Sequence, residues 1–255
     1  FYYAAREEGP QYKAVYSVDA KGKVKKLSTQ KGENSASFSS GMKYFVNVYS
    51  SFDTPPVTTL CSASGKVLKT LIDNSEVKNV IDADAPVTKE MFEFTTSEGV
   101  KLYGWMVKPA DFSTSKKYPV IMYQYSGPGS QEVTDAWNAG FFGGMAFERY
   151  LAQQGYIVAC VDGRGTGGRG AEFEKQTYLQ LGQKEARDQV EAALYLGGQP
   201  YVDKDRIAIW GWSFGGFNTL MAMSEGRNVF RAGVAVAPVT NWKYYDSVYT
   251  ERYMR

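Results

Sequence analysis

The spacing of apolar and polar residues divides the chain into two parts. Up to residue 71, short alternating stretches are separated by turns rich in Gly and Ser, which predicts antiparallel strands. The predicted strands are residues 1–6, 12–18, 23–27, 36–38, 43–49, 57–61 and 66–71. Two of the hairpins resemble each other, and their turn glycines, Gly22 and Gly65, lie 43 residues apart. This spacing is typical of β-propeller blades, which repeat at about 40–50 residues; a plain antiparallel sandwich is the alternative.

Beyond a polar stretch at residues 74–86, which we expect to be a linker, the pattern changes. A hairpin with strands at 92–95 and 101–108 comes first. Uncharged apolar runs then predict buried strands at 120–125, 156–161, 207–210 and 232–237. Helical spacing predicts helices at 185–196 and at 141–154, where Phe142 begins the apolar stripe. Strands that alternate with helices indicate a mostly parallel sheet, so we expect an all-β domain over residues 1–85 and an α/β domain over residues 86–255.

The composition is that of an ordinary globular protein. Hydrophobic residues make up 44% of the 255 residues and charged residues 22%. The net charge is +2, with no run of like charges and no base-reading motif, so we expect no nucleic-acid partner. No apolar run approaches the length of a membrane span. Cys61 and Cys160 lie in separate strand-like stretches and are expected to be buried thiols rather than a disulfide.

The segment from residue 206 to residue 217 contains the clearest chemical motif. The run Ile207–Trp210 predicts a buried strand, and Phe217 opens a helical spacing of apolar residues. Residues 211–215 match G-x-S-x-G, which forms a nucleophile elbow where a strand turns into a helix. Small residues are needed because the strained turn brings strand and helix close together. Ser213 is therefore the candidate nucleophile, exposed above the edge of the sheet.

An acyl-transfer site also needs a base and an oxyanion hole. The sequence contains no histidine, so an enzyme with this elbow is expected to be either inactive or incomplete. One oxyanion donor is the backbone N–H of Phe214, and a second must come from the end of another strand. Tyr125 ends a predicted strand before a Gly-Pro-Gly turn and is a candidate; an ordinary strand tyrosine is the alternative. Asp162 also ends a strand, where it is expected to tie down the Gly-Arg-Gly loop rather than to act as the catalytic acid.

Aromatic residues are dense after the last predicted strand. Val239, Trp242, Tyr245 and Tyr249 lie there, and the two tyrosines share a face if the stretch is helical. Flat aromatic walls beside a nucleophile suit a small rigid side chain such as proline, because rings stack well on aromatic faces. An aromatic stripe within the protein core is the other interpretation.

These segments resemble the dipeptidyl peptidase IV group of the prolyl oligopeptidase family of serine peptidases. The resemblance lies in Gln124-Tyr-Ser-Gly-Pro128, Asp162-Gly-Arg-Gly165, Gly211-Trp-Ser-Phe-Gly-Gly216 and the stretch from Ala237 to Met254. It is specific from about residue 116 onward, whereas residues 1–85 resemble the last propeller blades only loosely. The fold it implies is a β-propeller remnant followed by the N-terminal part of an α/β-hydrolase domain.

The resemblance implies a role for each candidate residue. Ser213 is the nucleophile, and Tyr125 with the Phe214 amide forms the oxyanion hole. The pocket for a penultimate proline or alanine is lined by Val239, Trp242, Tyr245, Tyr249 and the Phe214 ring. The enzyme would release Xaa-Pro or Xaa-Ala dipeptides from peptide N-termini, with no cofactor or metal, and the family commonly forms homodimers. The family usually has tyrosine where this chain has Phe214, a change that alters the polarity of the pocket but not the backbone role.

Three parts of the family pattern are missing from these 255 residues: the triad aspartate, the triad histidine and the propeller glutamates that hold the substrate's amino group. We therefore expect an internal fragment that is inactive alone. The alternatives are another peptidase of the family (acylaminoacyl peptidase, prolyl oligopeptidase or prolyl tripeptidyl peptidase), a non-catalytic homologue that binds proteins, or an esterase. Low cysteine usage favours a periplasmic, cell-surface or secreted enzyme.

Overall fold

The computed structural model describes residues 1–141 and 145–255, which separate into two compact units. The first unit contains Phe1–Ala85 together with Thr134–Met145, and the second contains Pro86–Val133 together with Ala146–Arg255. Each unit has its own secondary structure and its own core.

The first unit is built from antiparallel strands. Its described strands are β1 (Tyr2–Ala5), β2 (Ala14–Val18), β3 (Val24–Lys26), β4 (Glu33–Phe38), β5 (Tyr44–Ser51), β6 (Thr54–Ser62) and β7 (Val67–Ile72). They form a three-stranded sheet in the order β1-β2-β3 and a four-stranded sheet in the order β4-β5-β6-β7. Val15, Leu27, Phe45 and Cys61 share one buried cluster, so side chains from both sheets form the core of this unit. The second sheet has the four-stranded meander of a propeller blade.

The stretch predicted to be a linker is a helix instead. Helix α1 spans Ser75–Asp84. Val77, Val80 and Ile81 have the spacing of a helix, but they stand among polar and charged residues, and Val77 and Val80 remain exposed. Local interactions support it: Lys78 forms an ion pair with Asp82 one turn later, and Glu76 places a negative charge in the first turn.

The second unit contains a mostly parallel sheet. Its described strands are β8 (Val87–Thr95), β9 (Lys101–Pro109), β10 (Tyr118–Tyr123), β11 (Ile157–Asp162), β12 (Val202–Trp212) and β13 (Ala232–Val236), in the order β13-β12-β10-β11-β9-β8. The pairs among β13, β12, β10 and β11 are parallel, whereas β9 runs antiparallel to β11 and to β8. The predicted order of an all-β part followed by an α/β part is therefore confirmed.

Helices lie between the parallel strands and after the last of them. They are α2 (Ala146–Gln153), α3 (Ala171–Glu174), α4 (Gln183–Gly197), α5 (Phe214–Met223) and α6 (Ser247–Tyr253), with 3-10 turns at Lys175–Thr177 and Trp242–Tyr244. The helix predicted from residue 141 begins at Ala146, and Phe142 lies outside the described residues.

The core of the second unit explains why the candidate residues converge. Val120, Met122, Ile157, Ile207 and Ile209 are at most 2% exposed, as expected for strands covered on both faces. Because β10, β12 and β13 are parallel, their carboxyl ends lie along the same edge of the sheet. The loops that carry the candidate oxyanion donor, the candidate nucleophile and the aromatic stretch all leave from that edge.

Candidate active site

Ser213 lies between β12 and α5, where the chain turns sharply. Its backbone, with φ 56° and ψ −112°, lies outside the regions that non-glycine residues normally adopt, which costs about 1–3 kcal/mol. The turn is held by a hydrogen bond of 2.9 Å that the Ser213 amide donates to the carbonyl oxygen of Val236 on β13. Ser213 is partly exposed. The predicted strand–turn–helix context is confirmed, and the hydroxyl is not sealed inside the protein.

Close backbone packing requires the glycines of this turn. A Cβ atom at Gly211 or at Gly215 would overlap the carbonyl oxygen of Gln124, the residue that follows β10. At Gly215 it would also lie 3.1 Å from the Cα atom of Tyr125. At Gly216 it would lie 2.7 Å from the last carbonyl oxygen of β13. Only glycine therefore allows the elbow to approach the ends of both neighbouring strands.

Two candidate donors for an oxyanion lie near Ser213. The Phe214 amide is in the first turn of α5, where a helix provides no carbonyl partner for backbone N–H groups. The half-buried ring of Tyr125 packs against that of Phe214, with 6.1 Å between their centroids. Burial, and then the neighbouring Tyr245 and Glu132, raise the pKa of Tyr125. Its hydroxyl therefore stays protonated at neutral pH and is able to donate a hydrogen bond.

The strand prediction for Tyr125 is wrong by two residues. Strand β10 ends at Tyr123, and Tyr125 lies in the loop that follows. The next residue, Ser126, has a φ of 65°, so the chain leaves the sheet at this point rather than continuing along it.

The predicted pocket residues form an aromatic wall, which comprises Phe214, Trp242, Tyr245 and Tyr249. Trp242 is at its centre: it stacks on Tyr249 with 5.6 Å between centroids and 10° between planes, and Phe214 packs against it at 5.7 Å. The rings of Trp242 and Tyr245 meet edge to face at 5.9 Å. Val239 packs against the same group of side chains. The structure therefore brings Val239, Trp242, Tyr245 and Tyr249 together around Phe214, the residue that follows Ser213.

Tyr245 and Tyr249 do not lie on one helix, so the condition for a shared helix face is not met. Helix α6 begins at Ser247 because Asp246 caps it, accepting a hydrogen bond of 2.8 Å from the Tyr249 amide. Tyr245 precedes the cap with extended backbone. The two tyrosine rings nevertheless meet edge to face at 5.5 Å. The cap, rather than a shared helix face, places them against each other.

The loop at residues 163–165 is held by an aspartate that the sequence did not indicate. The carboxylate of Asp162 accepts hydrogen bonds from the amides of Glu132 and Val133, the latter at 2.8 Å, and fastens the segment after β10. Asp188 on α4 accepts from the Arg164 amide at 2.6 Å and from its guanidinium at 2.6 Å. Both side chains of that ion pair are buried. Asp188 thus has the loop-holding role predicted for Asp162.

The side chain of Gln124 is fully buried beneath the elbow, and its place in the site was not predicted from the sequence. The available signal was a polar residue at the end of an apolar strand.

Within residues 1–141 and 145–255, the His, Cys, Asp and Glu side chains form no group placed to hold a metal ion. No helix among those residues combines the length and apolar character needed to cross a membrane. Cys61 and Cys160 are buried free thiols, as predicted.

Sequence comparison identifies relatives for both parts of the chain. Residues 145–255 match the prolyl oligopeptidase family, and residues 1–56 match the N-terminal region of dipeptidyl peptidase IV. A protein named "Probable dipeptidyl-aminopeptidase B" from Pyrenophora teres f. teres is 40% identical over 264 residues, which cover 99% of this chain and 28% of that protein. A "Probable dipeptidyl peptidase 4" from Aspergillus flavus is 40% identical over 224 residues, which cover 87% of this chain and 28% of that protein.

Structural comparison agrees with these matches. The crystal structure of Porphyromonas gingivalis dipeptidyl peptidase 4 matches with a TM-score of 0.93 and 50% sequence identity, covering 100% of this chain and 35% of that one. The chain spans about 28% of the length of the curated relatives it matches. The predicted fold class, a β-propeller remnant followed by part of an α/β-hydrolase domain, is confirmed. The C-terminal part of this chain is similar to the prolyl oligopeptidase family, and the chain as a whole is similar to dipeptidyl peptidase IV.

Proposed function

We propose that the protein carrying this sequence is a serine exopeptidase that releases Xaa-Pro or Xaa-Ala dipeptides from peptide N-termini. The observation that carries the proposal is the partly exposed, strained Ser213, whose neighbour Phe214 belongs to the aromatic wall. Its dipeptidyl peptidase relatives, including the structure at 50% identity, support the class of reaction.

The reaction proceeds through an acyl-enzyme. Ser213 Oγ attacks the carbonyl carbon of the substrate's second residue while its proton passes to a base. The negative charge that develops on the carbonyl oxygen is stabilised by the Phe214 amide and the Tyr125 hydroxyl, each worth about 2.7–4 kcal/mol. The C–N bond then breaks, the departing amine takes the proton from the base, and the dipeptide remains esterified to Ser213. Water hydrolyses this ester and restores the serine hydroxyl.

The base is not among these 255 residues. The 255 residues contain no histidine, so the proposal assigns the imidazole, its aspartate partner and the carboxylates for the substrate's amine to residues outside this sequence. On this proposal the 255-residue chain alone does not turn over Xaa-Pro substrates. Turnover by the isolated chain that disappears in Ser213→Ala would contradict it.

The aromatic wall supports the proposed preference for proline. A pyrrolidine ring is small, rigid and apolar, and it gains contact on flat aromatic faces without losing rotamer freedom. Phe214, where the family usually has tyrosine, is only 2% exposed and supports the wall from behind, through the contact of its ring with Trp242. Val239 adds an aliphatic side chain that packs against the same cluster as Phe214. A longer or charged side chain would gain less from this surface and would lose hydration.

The test uses the complete protein that carries this sequence, with Gly-Pro-p-nitroanilide and its N-acetylated form as substrates. We expect hydrolysis of the free amine only, and a fall in kcat of about 10⁶-fold in Ser213→Ala. Equal cleavage of the acetylated substrate would favour an acylaminoacyl peptidase or an esterase. No hydrolysis of any peptide or ester by the complete protein would favour a non-catalytic homologue.

The proposal extends to the protein's location and assembly. We propose that the enzyme is periplasmic, on the cell surface or secreted, which its low cysteine content supports. We also propose a homodimer, because proteins of the resembled family commonly form homodimers. Cell fractionation tests the first expectation, and light scattering of the complete protein tests the second.

A further inference from the structure

A single buried amide links the strand end that carries Tyr125 to the helix that follows Ser213. The side chain of Gln124 is 0% exposed. Its Nε2 donates hydrogen bonds to the Gly215 carbonyl oxygen at 2.7 Å and to Thr219 Oγ1 at 3.1 Å. Gly215 and Thr219 both belong to α5. The amide therefore fastens β10 to the first turns of the helix.

The other half of the amide is also fully used. Gln124 Oε1 accepts hydrogen bonds from Ser126 Oγ at 2.8 Å and from Asn218 Nδ2 at 3.0 Å. An amide side chain offers two donor hydrogens and two acceptor lone pairs, so Gln124 has no unused capacity. Its orientation is determined, because the Gly215 carbonyl can only accept and therefore faces the NH₂ group.

The backbone of Gln124 adds two further constraints. Its amide donates to the Trp210 carbonyl oxygen at 3.1 Å, which extends the pairing of β10 with β12 towards Ser213. Its carbonyl oxygen occupies the space that a side chain at Gly211 or Gly215 would need. One residue thus contacts the strand before the nucleophile and the helix after it.

Ser126 anchors Tyr125 from the other side. Its backbone is held at φ 65°, and its hydroxyl, besides donating to Gln124, accepts a hydrogen bond from Gln189 Nε2 at 3.2 Å. Gln189 also donates to the Val161 carbonyl oxygen at 2.9 Å, which links the group to β11. Tyr125 therefore lies between two buried residues joined to each other by a hydrogen bond, and its backbone has little freedom to move.

We infer that Gln124 is a positioning residue that sets the place of the Tyr125 hydroxyl relative to Ser213 and the Phe214 amide. The inference rests on the proposed function, in which those two donors stabilise the same oxyanion. A donor aimed at a developing charge must be held in place before the reaction, because misplacement by about 1 Å can cost 10²-fold in rate. Gln124 provides that precision through contacts with the elbow itself rather than with substrate.

The test is a double-mutant cycle in the complete protein, measured with a dipeptidyl substrate. Gln124→Met keeps the length of the side chain and removes its hydrogen bonds. We expect kcat to fall at least about 10-fold with KM changed less than about twofold, because the loss concerns the transition state. In a Tyr125→Phe background, the same substitution should cost less than about threefold, since the hydroxyl it positions is gone. Equal losses in both backgrounds, or a loss confined to KM, would overturn the inference.

Two further variants separate positioning from simple destabilisation. Ile207→Val removes a methylene from the buried middle of β12, six residues before Ser213, and should lower stability while leaving kcat unchanged. Asn218→Leu removes one donor to Gln124 and is used if Gln124→Met does not fold. It should show a smaller loss of kcat that again disappears in Tyr125→Phe; a loss that persists in Tyr125→Phe would count against the inference.

A second readout distinguishes failure of this inference from failure of the proposed function. Phosphonylation of Ser213 by a fluorophosphonate depends on the elbow and the oxyanion site but requires neither a free amine nor proline. If the unmodified protein does not cleave Xaa-Pro substrates, yet Gln124→Met slows labelling about 10-fold only when Tyr125 is present, the inference stands and the proposed specificity fails. If the unmodified protein cleaves them and Gln124→Met labels at the normal rate, the inference fails and the function stands.

Discussion

One carboxyl group on α4 should make the protein less stable as the pH rises through the neutral range. The side chain of Glu185 is 0% exposed. Its Oε2 accepts a hydrogen bond of 3.0 Å from the Gly182 amide, whereas Oε1 makes no hydrogen bond within the described residues. Burial raises the pKa of Glu185 to about 8; backbone hydrogen bonds act to lower it, Asp188 raises it and Arg164 lowers it.

The sign and size of the effect follow from proton linkage. In the unfolded chain this carboxyl ionises near pH 4.5, so between pH 4.5 and about 8 the native state holds a proton that the unfolded state has lost. Its contribution to stability is complete below the unfolded pKa and is lost as the pH rises through the folded pKa. The full difference in unfolding free energy is about 5 kcal/mol at 1.36 kcal/mol per pH unit. That amount is comparable to the total stability of many domains.

The assay is urea unfolding of the complete protein and of Glu185→Gln at pH 5.5, 7.0 and 8.5. Glutamine carries no charge at any of these pH values and keeps an oxygen for the Gly182 amide. The variant should gain about 3 kcal/mol relative to the unmodified protein between pH 5.5 and pH 8.5. Other titrating groups cancel in this difference. A difference that stays constant within about 0.5 kcal/mol across the range would refute the assignment of a buried, neutral carboxyl.

Glu191→Gln on the same helix is the matched control. Although burial acts to raise the pKa of Glu191, hydrogen bonds from Ser97 and Arg227 lower it below its usual range. A carboxyl with a lowered pKa contributes stability that is present above its unfolded pKa and is lost only as the pH falls through the folded one. The effect of Glu191→Gln should therefore be the same at pH 5.5 and pH 8.5.

Three further substitutions test the elbow and its supports. Tyr125→Phe keeps the ring contacts and removes the hydroxyl, so kcat for a dipeptidyl substrate should fall about 10²–10³-fold with little change in KM; a fall below fivefold would remove Tyr125 from the oxyanion hole. Gly215→Ala places a methyl group against the carbonyl oxygen of Gln124, so a thermal melt should show a lower Tm and kcat should fall. Gly198→Ala is the control and should be neutral, because its methyl group would have only ordinary contacts, 3.4 Å or more away. Arg164→Met leaves the Asp188 carboxylate buried without its partner and should cost about 3–5 kcal/mol in urea unfolding, whereas a cost below 1 kcal/mol would show that the pair is dispensable.

The parts of the fold that could be predicted from the sequence depend on local patterns. The elbow is one: the strand before Ser213, the glycines around it and the helix after it are adjacent in the chain, and each is constrained by its neighbours. Helix α1 was not predicted: Val77, Val80 and Ile81 have helical spacing, but the stretch is otherwise polar and the two valines stay exposed. The start of α6 follows from Asp246, a typical N-cap residue, whereas the i, i+4 spacing of the tyrosines does not say where a helix begins.

The supports of the site depend on contacts between residues far apart in the chain. Gln124 bonds to Gly215, 91 residues away, and Arg164 pairs with Asp188, 24 residues away. Both pairs involve polar groups that are buried, where a partner is required but spacing does not identify it. A buried polar residue at a strand end can be recognised as a problem from the sequence, but its solution requires the three-dimensional structure.

The central claim is that Ser213 forms a covalent bond to the substrate, and trapping that bond tests it most directly. The complete protein is mixed with a Gly-Pro ester, quenched in acid within milliseconds, digested and analysed by mass spectrometry. The account predicts one peptide that contains Ser213 and carries the added mass of the Gly-Pro acyl group, and no such adduct in Ser213→Ala. An acyl group on another residue, or undiminished hydrolysis by Ser213→Ala, would contradict it.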